Sequence, residues 1–193
     1  MIKMETEPKE QMKIIEQMIA QSRKNISEGS VFYLIWGYLV LIAALSNYYL
    51  LVYSDYEHHY ISWPILMTLG GIITGIVGAR MEKKSKVKTF VDRAIMYLWI
   101  AVTISLFVCL LGIGKYGAQI VYPFIFLLYG IGTFVSGGIL RFRPLILGGV
   151  LCWILGGIAP HVDFSLQLLL LTIAVVGSYI IPGHLLSKSK QNV

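Results

Sequence analysis

Six long apolar runs constrain the fold of this chain more than any other feature of its sequence. A helix that crosses the hydrocarbon core of a bilayer needs about 20 apolar residues, and none of the runs alternates polar with apolar residues as barrel strands do. Only 13% of the 193 residues are charged, whereas soluble domains have about 25%. The sequence therefore predicts an all-α integral membrane protein. Its predicted spans are Val31–Tyr53, Ile61–Ala79, Ala94–Gly114, Gln119–Leu140, Leu145–Pro160 and Phe164–Leu185.

The distribution of basic residues predicts how these spans are oriented. Of the 16 Lys and Arg residues, 15 fall in the N-terminal segment, the second and fourth loops and the C-terminal tail. The alternate loops hold only Lys115, together with the acidic residues Asp55, Glu57 and Asp163. By the positive-inside rule, both termini are predicted to lie in the cytoplasm and the protein in a bacterial inner membrane. No apolar leader with a cleavage site precedes the first span, which agrees with a cytoplasmic N-terminus.

The net charge of +6 is interpreted as a topology signal. Nucleic-acid binding is not predicted, because the basic residues flank the spans instead of forming one binding face. The basic loop 80–93 suits contact with anionic lipid headgroups.

Residues 1–30 precede the first span and are predicted to form a cytoplasmic amphipathic helix. Pro8 suits the first turn of a helix, and the helix is predicted to end near Gly29. Apolar residues recur between them at steps of three and four, which is the period of a helix face. That stripe contains Met12, Ile15, Met18 or Ile19, Ser22 and Ile26. The sequence leaves four alternatives for the surface that buries this stripe: the bilayer interface, the bundle itself, a second copy of the chain, or a protein partner docked at residues 10–28.

The spans of residues 31–185 show an internal repeat, and residues 186–193 follow them as a predicted cytoplasmic tail. The second and fourth spans align without gaps at an offset of 59 residues. The matched pairs include Pro64 with Pro123, Gly71 with Gly130 and Gly78 with Gly137. The chain is therefore predicted to form three helical hairpins of the same orientation, unlike the inverted repeats of many transporters.

Small residues follow one another at four-residue steps on two of the predicted spans. Gly71 and Gly75 lie on the second span, and Gly148, Cys152 and Gly156 lie on the fifth. Such faces let helix backbones approach closely, so these five residues are predicted to pack helices together. The same pattern serves contacts within one bundle and between copies, and a homo-oligomer is compatible with it.

The outer loops contain residues of the types that bind metal ions. His58 and His59 lie in the first of these loops, and His161 and Asp163 lie in the last. Imidazole and carboxylate groups are ligands of zinc, and the loops can meet if their helices are neighbours. Adjacent histidines are not a zinc spacing motif, so ordinary polar loop residues are the alternative to a metal or pH-sensing site.

No Asp, Glu, Lys, Arg or His lies in the middle of a predicted span. Ion-coupled carriers place ionisable groups at that depth, and intramembrane proteases need them for chemistry, so both classes are disfavoured. Tyr129, Thr133 and Gln167 are polar residues within spans that can line a small ligand cavity or bond across helices. Pro182 and Gly183 are predicted to break the last helix.

Four segments of the sequence carry a resemblance to a known family. They are Phe32-Tyr-Leu-Ile-Trp-Gly37, Tyr129-Gly-Ile-Gly-Thr-Phe-Val-Ser-Gly-Gly138, Arg141-Phe-Arg-Pro-Leu145 and Tyr179-Ile-Ile-Pro-Gly-His184. Over most of its length the chain resembles a family of uncharacterised six-helix inner-membrane proteins from Bacteroidetes-type bacteria. The resemblance implies the six-helix fold and transfers no activity and no functional residue. In architecture and glycine placement the chain is also similar to the HdeD-like acid-resistance membrane proteins, which gives slight weight to a stress role.

These observations predict a non-enzymatic membrane protein that acts as a scaffold, sensor or regulatory partner. The alternative is a binder or transporter of a small or lipidic molecule within the bundle. An enzyme at the membrane surface is a third hypothesis, whose candidate groups are the outer histidines and Asp163. No cofactor is predicted, apart from zinc if the outer histidines bind it.

Overall fold

The computed structural model describes the backbone of residues 8–54, 56–84 and 90–188 and the side chains of residues 29–54, 56–83 and 90–188. Within these ranges every regular element is helical, as the sequence predicted. The α-helices are α1 (Pro8–Tyr53), α2 (Ser62–Lys84), α3 (Phe90–Leu111), α4 (Ile113–Tyr116), α5 (Ala118–Ile139), α6 (Arg143–Ile158), α7 (Phe164–Val175) and α8 (Ile181–Lys188). Two 3₁₀ turns, His59–Ile61 and Ala159–His161, and one π-helical turn, Val176–Ile180, complete the elements.

Six helical segments of the described chain are long and apolar enough to cross a membrane, which confirms the predicted number. They are Gly29–Tyr53, His59–Lys83, Phe90–Tyr116, Ala118–Ile139, Arg143–His161 and Phe164–Lys188. Several are longer than predicted, because polar and charged residues at their ends continue the helices. We call the end of the bundle near Gly29 and Lys188 the terminal side, and the end near His59 and His161 the distal side.

Helix α1 continues without a break through the position where the sequence predicted its end. It runs from Pro8 to Tyr53, so a separate N-terminal helix that stops near Gly29 is wrong. One glycine in a helix interior costs only about 1 kcal/mol relative to alanine, and no proline follows it. The amphipathic stripe of residues 12–26 lies outside the described side chains.

Four spans form the centre of the bundle, and two lie at its edge. Helices α1, α5 and α6 pack with the sixth span, which consists of α7, the π turn and α8. Helix α2 packs on α1 and helix α3 packs on α5, and the described residues of α2 and α3 form no extensive interface with each other. Accordingly, over an apolar stretch of 18 residues in each span, 61% of the residues of the α5 span are buried but only 6% of those of the α2 span and of the α3–α4 span. The largest fully buried side chains all belong to the central spans: Phe126, Leu145, Leu168, Leu171 and Leu186.

The three-hairpin repeat does not describe how the helices pack. The two spans of each predicted hairpin do touch, but the most extensive contacts join α5 to α6 and α1 to the sixth span, across the predicted hairpin boundaries. Matched glycines of the repeat also differ in surroundings. A Cβ added to Gly130 would meet the Trp153 indole at 2.2 Å, whereas Gly71 has no atom outside its own helix within 4 Å.

The two predicted small-residue faces have different surroundings as well. On α6, a Cβ at Gly148 would lie 2.6 Å from the Ser178 Cα atom and one at Gly156 would lie 2.9 Å from the Phe126 Cβ atom. Cys152, between them, is fully buried. On α2, Gly71 and Gly75 are exposed and meet nothing within the described chain. Only the α6 face therefore lies between helices of one bundle.

The turn between α5 and α6 is closed by a Schellman motif. The Phe142 N–H donates to the Gly137 carbonyl at 2.8 Å and the Arg141 N–H donates to the Gly138 carbonyl at 3.2 Å. This motif requires a left-handed residue after the helix, a position that glycine usually fills. Here it is Arg141, with φ of 51°. Its charge suits the C-terminal end of a helix dipole.

The sixth span continues past Pro182 and Gly183, so the predicted break at these residues is wrong. The π turn Val176–Ile180 precedes them, and α8 begins at Ile181. Pro182 therefore falls in the first turn of α8, where a missing backbone N–H is tolerated. Gly183 packs against α1, because a Cβ there would lie 2.9 Å from the Leu34 Cδ2 atom.

Candidate functional site

The predicted ligand residues Tyr129, Thr133 and Gln167 do not line one site. The Thr133 hydroxyl donates to the Tyr129 carbonyl of its own helix at 2.7 Å. The Gln167 amide donates to the Ala159 carbonyl at 2.9 Å and to the Gln119 carbonyl at 3.0 Å. Gln119 precedes Thr133 by fourteen residues on α5, which separates them by about 21 Å along the helix. The Thr133 hydroxyl and the Gln167 amide instead donate to backbone carbonyls at different depths of the bundle.

The outer loops meet at the distal side without assembling a group of metal ligands. The His59 ring lies 6.4 Å from the Phe164 ring, centroid to centroid, so the first and last outer loops are neighbours. His58, His161 and Asp163 are exposed. Among the residues whose side chains are described, no three His, Cys, Asp or Glu form a group that could hold a metal ion. The predicted zinc site therefore has no geometric support.

Asn47 explains the half-buried position of His59. With its amide nitrogen facing the loop, Asn47 donates to His59 Nδ1 at 2.7 Å and to the His59 carbonyl at 3.2 Å, and its oxygen accepts from Trp63 Nε1 at 2.9 Å. Asn47 is almost fully buried. Ser62 adds a hydrogen bond from its hydroxyl to the Ala43 carbonyl. These bonds join α1 to the start of α2, so the polar residues of this side stabilise the bundle.

A shallow groove of about 340 Å³ also opens at the distal side. It is lined by Gln119, Ile120, Pro123, Phe124 and Pro160. Four of these five side chains are apolar, and lipid chains can fill such a groove without specific contacts.

The strongest candidate site lies nearer the terminal side, where four buried hydroxyls have no hydrogen-bond partner. They belong to Tyr33 on α1, Ser136 on α5, and Ser178 and Tyr179 on the π turn, and we call them the hydroxyl cluster. Each of these residues is at least 94% buried. The Tyr33 hydroxyl lies near Ser136 and the Trp99 indole without completing a hydrogen bond. Buried polar groups are nearly always paired, so four unpaired ones in one region require an explanation.

Aromatic rings surround the hydroxyl cluster. The rings of Tyr33, Trp99 and Tyr179 form a triad whose centroids are 5.9 to 6.0 Å apart. The Tyr129 ring lies 5.5 Å from Tyr179. Trp99 is half-buried and covers Gly132, where an added Cβ would lie 3.0 Å from the Trp99 Cη2 atom. Trp99 is thus the member of the triad nearest to the lipid.

Two glycines, one on α1 and one on α6, allow these helices to pack closely against the π turn. A Cβ at Gly37 of α1 would lie 3.0 Å from the Tyr179 Cβ atom, and one at Gly148 of α6 would lie 2.6 Å from the Ser178 Cα atom. Helices α1 and α6 therefore approach the π turn closely from two sides. Single π turns are frequent at functional sites. Here the turn supplies two of the four unpaired hydroxyls.

Sequence analysis did not find this site. Tyr33 and Tyr179 lie near the ends of their predicted spans, where tyrosine commonly lies at the membrane interface, and serines within a span commonly bond between helices. A π turn has no clear sequence signature, so the direction of Ser178 and Tyr179 was not predictable. The available signal was a set of aromatic and hydroxyl residues at similar depth on the first, third, fourth and sixth spans.

Chemically, the cluster offers neutral hydroxyls that donate or accept hydrogen bonds. Comparison of the chain with protein-family models, curated proteins and solved structures gives no match.

Proposed function

We propose that this protein is a non-enzymatic inner-membrane protein that acts as a scaffold, sensor or regulatory partner through α1. The supporting observation is that α1 is one helix from Pro8 to Tyr53 while its membrane span begins at Gly29. Residues 8–28 extend this span by about 30 Å at 1.5 Å per residue. In the proposed orientation this extension projects into the cytoplasm, where basic residues also contact anionic lipids.

The span part of α1 is held firmly by the sixth span. Gly37 allows the backbone of α1 to approach Tyr179 and Ile180. The Tyr38 hydroxyl and His184 Nε2 form a hydrogen bond of 2.8 Å. A molecule bound to residues 8–28 therefore acts on a helix whose displacement changes the core of the bundle.

The stripe at residues 12–26 is the proposed docking surface, with a protein partner or a second copy of the chain as its occupant. A photoreactive amino acid at Ile19 on the stripe should cross-link in cells, and one at Gln17 on the opposite face is the matched control. We expect one discrete adduct from Ile19 and none from Gln17. The adduct mass distinguishes a second copy from another protein. Equal labelling at both positions, or none at Ile19, contradicts the proposal.

A second experiment tests the continuity of α1. Two alanines inserted between Glu28 and Gly29 rotate the stripe by about 200° relative to the span, whereas seven restore its face to within about 20°. We expect the insertion of two alanines to abolish the Ile19 adduct, or the function of the partner that it identifies. The insertion of seven alanines should retain it. Equal results from both insertions contradict coupling through a rigid helix.

A second candidate function is the binding of a small or lipidic molecule within the bundle. The observation that favours it is the hydroxyl cluster, because four buried and unpaired donors are costly in a protein interior. Tyr129 borders this region, but Thr133 and Gln167 bond elsewhere.

A further inference from the structure

The unpaired hydroxyls define what a bound molecule would have to supply. Tyr33 and Tyr179 each carry an O–H that lacks a hydrogen-bond partner. The Ser136 hydroxyl lies near that of Tyr33, and the Ser178 hydroxyl lies near the Cys152 thiol. Leaving a buried donor unpaired costs more than a hydrogen bond normally contributes, and Tyr33 and Tyr179 are at least 94% buried. A molecule with oxygen acceptors would satisfy these groups.

The packing of the outer helices leaves a route from the lipid to this region. Helix α2 contacts α1, helix α3 contacts α5, and the described residues of these two helices form no extensive interface with each other. Trp99, on α3, is half-buried and rests against the buried Gly132. The indole thus separates the buried hydroxyls from the lipid.

The surroundings also limit the chemistry of the molecule. Hydroxyls, aromatic rings and the Cys152 thiol line the region, and none of these groups is a carboxylate, ammonium or guanidinium. A charged ligand would therefore be desolvated without a partner. Aromatic rings favour flat molecules by stacking and edge-to-face contacts, and the absence of a side chain at Gly132 lets the Trp99 ring lie against the α5 backbone.

We propose that the hydroxyl cluster and the aromatic triad bind a flat, uncharged, lipid-soluble molecule with carbonyl acceptors, of the quinone class. Trp99 is the gate of this site: its indole moves outward and the ring of the ligand takes its place over Gly132. The Tyr33 and Tyr179 hydroxyls then donate to carbonyl oxygens of the ligand. This inference deepens the second candidate function and is independent of the docking surface on α1.

The test is a binding titration of the full chain in phosphatidylcholine nanodiscs with 2,3-dimethyl-1,4-naphthoquinone as the probe, because its quinone ring has no unsubstituted carbon to which the free thiols of Cys109 and Cys152 would readily add. Quinones quench tryptophan fluorescence, so binding beside Trp99 should give a saturable decrease above the linear effect of partitioning into lipid. We expect Tyr33→Phe and Tyr179→Phe each to weaken binding by about three- to tenfold, since each removes one neutral hydrogen bond. Tyr49→Phe is the matched control, because Tyr49 is 62% exposed and stacks on Tyr53 far from the cluster.

Trp99→Ala tests the gate separately. Removing the indole also removes the fluorescent reporter, so association is followed by the growth of the non-covalent quinone adduct in native mass spectra after rapid mixing, and it should be at least about tenfold faster than in the wild type. The far-ultraviolet circular dichroism of each variant confirms that it is folded, and Ser136→Ala replaces any tyrosine variant that is not. Strictly linear quenching of the wild type, or equal affinity of the wild type and the tyrosine variants, overturns the proposal. Cross-linking at Ile19 does not depend on this site, so failure here leaves the α1 proposal separately testable.

Discussion

A methyl group added between α5 and α6 should strongly destabilise the bundle. Gly149 lies on α6 where it crosses α5, and an added Cβ would lie 2.6 Å from the Phe134 Cβ atom, 2.8 Å from the Phe134 nitrogen and 2.9 Å from the Gly130 oxygen. Ordinary carbon contacts are about 3.5–4.0 Å, so the helices must separate by about 1 Å. Two of the three atoms belong to backbone and cannot rotate away.

The size of the effect follows from two opposing contributions. Overpacking a core costs about 1–3 kcal/mol, and contacts with backbone place Gly149→Ala at the upper end. Replacing glycine by alanine within a helix raises the free energy of unfolding by up to about 1 kcal/mol. We therefore expect Gly149→Ala to lower the free energy of unfolding by about 2 kcal/mol.

Gly157→Ala is the matched control on the same helix. Gly157 is exposed, and a Cβ there would meet no described atom outside its own helix within 4 Å. The free energy of unfolding of Gly157→Ala should therefore rise by about 0.5–1 kcal/mol. Reversible unfolding in mixed micelles of increasing dodecyl sulfate fraction, followed by circular dichroism, measures both free energies. Equal stability of the two variants would refute the reasoning, because it would mean that α5 and α6 do not meet at Gly149.

Three further changes test other contacts of the fold by the same unfolding assay. Asn47→Leu removes the hydrogen-bond partners of Trp63 Nε1 and His59 and should lower the free energy of unfolding by about 1–3 kcal/mol. In the double variant with Trp63→Phe, part of this loss should be restored. Purely additive effects of the two substitutions would contradict the hydrogen bond. Arg141→Gly removes the strain of a left-handed backbone at a non-glycine residue and should raise the free energy of unfolding by about 1 kcal/mol. A lower free energy of unfolding would show that the Arg141 charge contributes more than the strain. Gly71→Ile should change the stability of the monomer by less than about 0.5 kcal/mol, because this position is exposed, and a larger loss would indicate an additional contact at α2.

The locations of the helices followed from sequence, but two of their ends did not. Gly29 and Pro182 are ordinary signals for helix boundaries, and the structure continues through both. In the hydrocarbon layer backbone groups must pair within the helix, so a single weak signal does not end it. At Pro182 the preceding π turn shifts the hydrogen-bond pattern, which is a rearrangement that local propensity does not predict.

The candidate site was the least predictable feature. Thr133 and Gln167 are polar and within spans, as the sequence indicated, yet both satisfy backbone carbonyls. Tyr33 and Tyr179, by contrast, occur near the ends of their spans and resemble interfacial anchors. Only the contacts between α1 and the π turn bring their rings within 5.9 Å of each other.

By itself the sequence determined that this chain is helical and has six segments able to cross a membrane, because the length and composition of an apolar run decide whether a helix can replace its hydration by lipid. The tertiary structure alone decided which of these helices are central. Gly71 and Gly130 occupy equivalent places in the repeat, but Gly130 lies against Trp153 and Gly71 lies at the surface. Lipid chains are as apolar as a protein core, so hydrophobicity does not distinguish a buried face from an exposed one. The difference depends on helix neighbours, and those same neighbours create the hydroxyl cluster.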